Sequence, residues 1–170
     1  MIMRNQNSGF TLIELLIVVT ILGVLAAIGA PSLQFMIATY RLKTFTSDMH
    51  TMLTLARSEA IKRNGNVTIT PTNATDWSMG WRLQFGTQLI ATQDPYQNIS
   101  IGTRNAAFGT KTVASITYTG TGRENSTDGV AFVATSTSVT TLTARCIVLD
   151  PSGRPTVRVD KDGNPSNGCN

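Results

Sequence analysis

An uninterrupted apolar run near the N-terminus constrains this chain more than any other feature. Residues 10–30 contain a single charge, Glu14, whereas 14% of the 170 residues in the whole chain are charged. At about 1.5 Å per residue, a helix over this run just spans the hydrocarbon core of a bilayer. A carboxylate inside such a segment is costly, so Glu14 is a candidate functional residue.

A plain membrane anchor and an ordinary secretory signal are the simplest interpretations of this run, but the order of its features argues against both. A secretory signal carries its cleavage site after the apolar segment. Here a polar leader, residues 1–9, ends at Gly9 and is followed at once by Phe10 and Thr-Leu-Ile-Glu14. This arrangement resembles the class III signal of type IV prepilins and pseudopilins.

The resemblance implies a role for each of these residues. A prepilin peptidase cuts after Gly9, on the cytoplasmic side, and Phe10 becomes the N-methylated N-terminus. Glu14 then pairs with the free amine of a neighbouring subunit inside the filament. Such a pairing offsets the cost of burying a carboxylate among apolar helices and fixes the axial register.

Beyond the apolar run the pattern changes to an amphipathic helix and then to short strands. Residues 31–63 repeat apolar side chains at three- and four-residue steps, and Asn64-Gly65-Asn66 ends the helix. The predicted helical stripe contains Leu33, Ile37, Tyr40, Phe45, Met49, Met52, Leu53, Ala56 and Ala60. β-rich runs follow at residues 67–70, 81–85, 98–101, 113–119, 130–134, 142–149 and 156–159.

These segments predict an α+β fold, in which a long N-terminal α-helix packs against an antiparallel β-sheet head domain. The helix has a transmembrane half and an amphipathic half. The expected organisation is a leader (1–9), a transmembrane and filament-core helix (10–30) and a periplasmic head (31–170). Trp77 and Trp81, on either side of Gly80, are expected to pack in the core or at a sheet edge rather than form a binding surface.

Two cysteines, Cys146 and Cys169, come late in the chain. They have no neighbouring His and no C-x-x-C spacing, which makes them a poor metal site. In an exported protein a disulfide that ties the last residues to the head is the natural interpretation, and two free thiols are the alternative.

The inventory of reactive side chains argues against an enzyme. The only histidine, His50, lies on the predicted helix, where a surface or interface position is expected. Paired carboxylates, a Gly-rich phosphate loop and metal-ligand spacing are not found. The sequence therefore predicts no catalytic residue, no cofactor, no metal and no small-molecule substrate.

The strongest candidate for a binding site is a C-terminal hairpin rich in arginine. Asp150-Pro151-Ser152-Gly153 has the composition of a type I turn. Strand alternation places Arg154, Thr156 and Arg158 on one face, with Lys161 just beyond. If Asp150 pairs with Gly153, Arg145 falls opposite Arg158 on that same face. Like charges so placed are destabilising, which favours an anionic partner, and Pro155 indicates an accessible edge strand.

The head itself resembles the FimT/GspH group of minor pilins and pseudopilins. The resemblance rests on residues 52–64 (MLTLARSEAIKRN), the strand after them, Trp77-x-x-Gly80-Trp81 and Gly153-Arg154-Pro155. Some FimT-type minor pilins bind DNA in natural transformation through arginines of a C-terminal Gly-Arg motif. The resemblance thus implies binding of double-stranded DNA by Arg145, Arg154, Arg158 and Lys161, although Arg158 follows Arg154 by four residues instead of two.

Two alternatives to DNA binding remain open at this point. Asp150, Asp160 and Asp162 are close enough in sequence to neutralise the arginines as surface ion pairs. A GspH- or FimU-like subunit would instead prime assembly of a pilus or a type II secretion pseudopilus without binding DNA. The net charge of +4 is too small to decide between them.

Either way, the expected partners are other major and minor pilins, the inner membrane and the prepilin peptidase. The expected location is a single-pass inner-membrane protein with a periplasmic head, later assembled into a filament.

Overall fold

The protein, described here by a computed structural model over residues 10–169, contains two compact units, one ending at Met36 and one beginning at Ile37. Helix α1, Leu12–Arg63, runs through the boundary between them and continues past Pro31. In the first unit its side chains are exposed along the whole apolar run. The helix is long and apolar enough to cross a membrane, with a mean hydropathy of 2.7 in its most apolar window.

The second unit, the head, contains two four-stranded antiparallel sheets. Their orders are β3-β2-β1-β5 and β4-β6-β7-β8. The strands are β1 (Val67–Asn73), β2 (Asp76–Phe85), β3 (Gln88–Gln93), β4 (Ile99–Arg104), β5 (Ile116–Tyr118), β6 (Val130–Ser136), β7 (Arg145–Leu149) and β8 (Pro155–Val159). The predicted α+β class, one long helix against antiparallel sheets, is confirmed. Strand β3 was not predicted, because this edge strand has no fully buried residue and its apolar residues are consecutive instead of alternating.

The head core lies between the second part of α1 and the sheets. The helix buries Ala38, Leu42, Phe45, Thr46, Met49, Met52, Leu53, Ala56 and Ala60. The predicted stripe is therefore right from Phe45 onward and wrong at its start. Leu33, Ile37 and Tyr40 remain 52%, 41% and 59% exposed. Burial begins at Ala38, so periodicity alone extended the stripe beyond the part of the helix that the head covers.

Two tryptophans form the centre of this core, as the sequence predicts. Trp77 and Trp81 are both fully buried. The Trp77 indole N–H donates to the carbonyl of Val113 at 2.8 Å. Gly80 between them has φ +81°, and a Cβ there would lie 2.1 Å from the carbonyl oxygen of Gln93. A side chain at this position would collide with β3, so the spacing of the Trp-Gly-Trp cluster is set by strand pairing.

The second sheet has two unlike faces. Its inner face, which carries Phe132 and Ile147, packs in the core with α1. Its outer face carries Val133 and Cys146, and the C-terminal segment covers them. The predicted disulfide between Cys146 and Cys169 is present and fastens that segment to β7. Strand β8 lies at the edge of this sheet, as Pro155 suggests.

Candidate nucleic-acid interface

The turn between β7 and β8 is held by one aspartate. The N–H of Gly153 donates to the carbonyl of Asp150 at 2.9 Å, which confirms the predicted four-residue turn. The Asp150 carboxylate accepts from the Ser152 hydroxyl at 2.5 Å and from the Arg154 N–H at 3.2 Å. The Ser152 hydrogen bond is the main reason that the pKa of Asp150 is below its usual range.

Gly153 fixes this turn against the rest of the head. Its φ is +81°, and a Cβ would lie 2.2 Å from the carbonyl oxygen of Gly122. The Gly153 carbonyl accepts from the Tyr118 hydroxyl at 3.3 Å and from the Arg57 guanidinium at 3.4 Å. Glycine is therefore required here by conformation and by space, and the residue after it, Arg154, leaves an anchored turn.

The hairpin register corrects the prediction for Arg145. Leu149 pairs with Pro155, and Arg145 pairs with Val159, one residue away from the predicted partner Arg158. A shift of one residue exchanges the faces of a strand. Arg158 instead pairs with Cys146 and lies on the outer face. Arg145 consequently belongs to the inner face, away from the other arginines.

The four predicted cations therefore divide among three places. Arg158 and Lys161 line one open hollow of about 500 Å³ on the head surface, next to Cys169. Arg154 is exposed at the end of the turn, one residue before β8. Arg145 is only partly exposed and lines a separate groove of about 340 Å³ with Lys43 and His50 of α1.

The nearby aspartates do not form ion pairs with these cations. Within residues 10–169 the salt bridges join Lys62 and Arg63 to Glu59, and Lys111 to Asp128. Asp150 is used by the turn, and Asp160 is buried. Asp162 accepts the N–H of Asn164 and the side-chain amide of Asn167. Among the described residues none of the three carboxylates forms a close ion pair with these cations, although Arg154 lowers the pKa of Asp150 through its charge.

Two further basic residues near the turn were missed by sequence reasoning. Arg57 holds the Gly153 carbonyl from α1. Arg123 is exposed and follows Gly122, whose carbonyl oxygen lies against Gly153. Arg123 therefore belongs to a loop that contacts the turn at Gly153. No sequence pattern signals this contact, because a loop about thirty residues away supplies it.

At the N-terminal site, Gly9 lies outside the described residues, and Phe10 is 76% exposed. Thr11 and Glu14 bond to each other across the first turn of α1. The Thr11 N–H and hydroxyl both donate to the Glu14 carboxylate, at 3.4 and 3.3 Å, and the Glu14 N–H donates to the Thr11 hydroxyl. This reciprocal arrangement is a capping box, so Glu14 also stabilises the start of its own helix.

Two protein-family models match this chain. The model described as "Type II transport protein GspH" matches residues 46–163, which is more than two thirds of the chain and includes the hairpin. The chain belongs to the GspH family. A second model, the prokaryotic N-terminal methylation motif, matches residues 4–30. Among curated proteins, no sequence matches this one significantly.

Solved structures share the fold of this GspH-family protein. The type IV minor pilin FimU of Pseudomonas aeruginosa aligns over 74% of this chain and 92% of its own, with a TM-score of 0.60 and 17% identity. The minor pseudopilin EpsH from the type 2 secretion system of Vibrio cholerae aligns over 73% and 99%, with a TM-score of 0.51 and 7% identity. Together with the methylation motif, they confirm the predicted likeness to type IV pilin-like minor subunits.

Proposed function

We propose that this GspH-family protein is a minor pilin that binds double-stranded DNA through the outer side of its C-terminal hairpin and serves DNA uptake in natural transformation. Arg154, Arg158 and Lys161 form the binding surface. Arg123 is a fourth cation at its margin. The FimT-like Gly153-Arg154 motif supports this assignment. Arg145, which the sequence analysis included in the DNA-binding surface, is left out because it lies on the inner face.

The N-terminal segment places the subunit first in the membrane and then in a filament. Prepilin peptidase removes the leader after Gly9, Phe10 is methylated, and the apolar run holds the subunit in the inner membrane with its head in the periplasm. The segment then enters a filament of major and minor pilins, where Glu14 pairs with a neighbouring amine. The match to the methylation motif over residues 4–30 supports this processing.

The DNA proposal rests on the exposure of Arg154, Arg158 and Lys161 and on the lack of ion pairs to them. They are exposed, and no described carboxylate lies within ion-pairing distance of them. Like charges collected at one sheet edge are unfavourable unless an anion joins them. Asp150, Asp160 and Asp162 form no ion pairs with these cations, so the guanidinium and ammonium groups remain open to phosphate.

The spacing of the arginines suits a duplex. Four residues along a strand separate Arg154 from Arg158 by about 13 Å. That distance is close to the width of the major groove, about 12 Å, so two guanidiniums can reach phosphates on its two sides. Arg offers a planar fork that donates two parallel hydrogen bonds to a phosphate. Contacts of this kind carry no base information, so binding is independent of sequence.

The test uses the head, residues 32–170, because every buried helix residue from Ala38 onward lies within it. We expect the head to shift labelled duplex DNA at low salt. With about three phosphate contacts, log K should fall with log[salt] at a slope of about −3. In the variant Arg154→Gln/Arg158→Gln we expect much weaker binding, with the slope reduced to about −1 for the binding that remains.

The matched control is the double variant Arg82→Gln/Arg145→Gln. It removes the same charge from another sheet and from the inner face, so it should bind DNA as the unmodified head does. If both double variants weaken binding equally, net charge is responsible and the hairpin is not the site. Circular dichroism and thermal melting of each variant confirm that the head is folded.

A second candidate function is priming of filament assembly without DNA. The family description and the fold shared with FimU and EpsH favour it. A head that shifts no DNA at any salt concentration, in a strain whose filaments disappear when the gene is deleted, would establish this function in place of DNA binding.

A further inference from the structure

The loop that follows β8 contains a buried carboxylate with an unused oxygen. Asp160 is only 2% exposed, and its N–H donates to the carbonyl of Ala144 at 3.0 Å. One carboxylate oxygen accepts the N–H of Asp162 at 3.2 Å. The other, Oδ2, is buried and has no hydrogen-bond donor among the described residues. Burying a charged oxygen without a partner costs free energy, so this position needs an explanation.

A second orphaned oxygen belongs to the same loop. Oδ1 of Asn167 is also buried without a donor. The amide nitrogen of that side chain donates to Oδ2 of Asp162 at 2.7 Å. Asp162 thus joins the two residues whose oxygens lack partners.

The two carboxylates of this loop face each other. The side chains of Asp160 and Asp162 are close enough to interact with each other. Two like charges in contact repel each other, and no described cation lies within ion-pairing distance of either one. Two buried oxygens without donors, beside a second carboxylate, are an arrangement that a bound cation would satisfy.

We propose that the loop of residues 160–167 binds a calcium ion through Asp160, Asp162 and Asn167. The loop reads D-K-D-G-N-P-S-N, with oxygen-bearing side chains at alternate positions 160, 162 and 164. Calcium loops begin with this alternation and with a glycine close by. Backbone carbonyls and water complete a sphere of six to eight oxygens.

The donor set selects the ion. The ligands are all oxygens, and both cysteines are joined in a disulfide, so a hard cation is favoured over zinc. An irregular loop fits the flexible coordination of calcium better than the strict octahedron of magnesium. Within residues 10–169 no three His, Cys, Asp or Glu side chains lie together, and the site has only two charges. We therefore expect weak binding, with a Kd on the order of 10⁻⁴–10⁻³ M, as in extracellular calcium modules.

The sequence pattern alone does not reveal this site. The loop shares only the first spacing of the twelve-residue calcium loop and ends before the position of its final glutamate. That is why sequence reasoning predicts no metal here. The site is indicated instead by the buried oxygens of Asp160 and Asn167, which have no donors.

The experiment uses the full chain in detergent micelles, freed of divalent ions with EGTA and then titrated with CaCl2 or MgCl2. We expect one calcium per chain by calorimetry, and a rise in Tm of roughly 3 °C at 10 mM calcium. Magnesium should give a much smaller response. No calcium response, or an equal response to magnesium, would overturn the proposal.

Two variants separate metal binding from a purely structural role. Asp160→Asn keeps the shape, so we expect it to lose the calcium response and to raise the Tm in EGTA, because the buried charge is gone. Asn167→Asp adds a carboxylate, and we expect roughly tenfold tighter calcium binding. The control Asp94→Asn removes an exposed charge elsewhere and should respond as the unmodified chain does. A calcium response that survives Asp160→Asn would place the ion at another site.

Discussion

At the scale of single residues, Glu14 combines a proposed role in assembly with a helix-capping role that the structure shows. The motif predicts an acid that pairs with a neighbouring subunit. The structure adds that the same carboxylate accepts both donors of Thr11 at the start of α1. A substitution that removes the side chain therefore changes the helix end and the proposed pairing together.

Glutamine at this position distinguishes the two roles. Glu14→Gln keeps an oxygen that can accept from Thr11 but removes the charge, so we expect incorporation into filaments to fall at least tenfold while the helix cap is retained. Thr11→Ala removes the cap and keeps the charge, and it should assemble nearly as well as the unmodified chain. Immunoblots of sheared filaments and membranes measure both, and equal incorporation of the Gln variant would contradict the pairing role.

At the scale of elements, the sequence predicts the types of segment better than their register. The helix end at residue 64, the Trp77-Gly80-Trp81 cluster and the turn at Asp150 carry local signals, and all three are confirmed. The pairing of β7 with β8 depends on where the ladder resumes after the turn. The Asp150 carboxylate binds the Arg154 N–H, and the first strand pair is Leu149 with Pro155.

One residue of register decides the composition of the candidate site. It moves Arg145 to the inner face, and no alternation pattern could have shown this, because both registers fit the same sequence. Arg123 was missed for a related reason, since its neighbourhood depends on a contact between Gly122 and Gly153. What the sequence could predict of the site is its Gly-Arg motif, and what it could not predict is which distant residues join it.

The turn should respond to acid in a defined direction. Its hydrogen bonds hold the pKa of Asp150 below the ordinary value of 3.8. The stabilisation is therefore present above that value and is lost as the pH falls through the lower folded pKa. We expect Asp150→Ala to lower the free energy of unfolding of the head by about 1 kcal/mol at pH 7.

Urea unfolding of the head at pH 7 and pH 3 measures this dependence. The difference between the unmodified head and Asp150→Ala should shrink at pH 3, which lies below the ordinary carboxyl pKa of 3.8. A difference that is the same at both pH values would show that the charge of Asp150 does not stabilise the turn.

At the scale of the whole molecule, the proposed DNA surface and the proposed calcium loop are neighbours. Lys161 lies between Asp160 and Asp162 in sequence, and it shares a surface hollow with Arg158. The two carboxylates weaken the positive potential of the surface, and a bound calcium ion would cancel their charge. The two proposals are therefore coupled through electrostatics, although each can be tested alone.

Calcium should strengthen DNA binding by the head at constant ionic strength. At separations near 10 Å, removing two negative charges is worth roughly a twofold to fivefold gain in affinity. Asp160→Asn should lack this gain. Comparing the two proteins at the same calcium concentration cancels the direct effect of calcium on DNA, and an equal response in both would exclude the coupling.

The bond between Cys146 and Cys169 has a consequence for where the protein becomes competent. It closes a covalent ring that contains the turn, the edge strand, the three surface cations and the whole calcium loop. Before export the thiols are kept reduced, and this ring is open. We therefore expect the head to acquire the ordered form of both proposed ligand-binding regions only after the two thiols are oxidised.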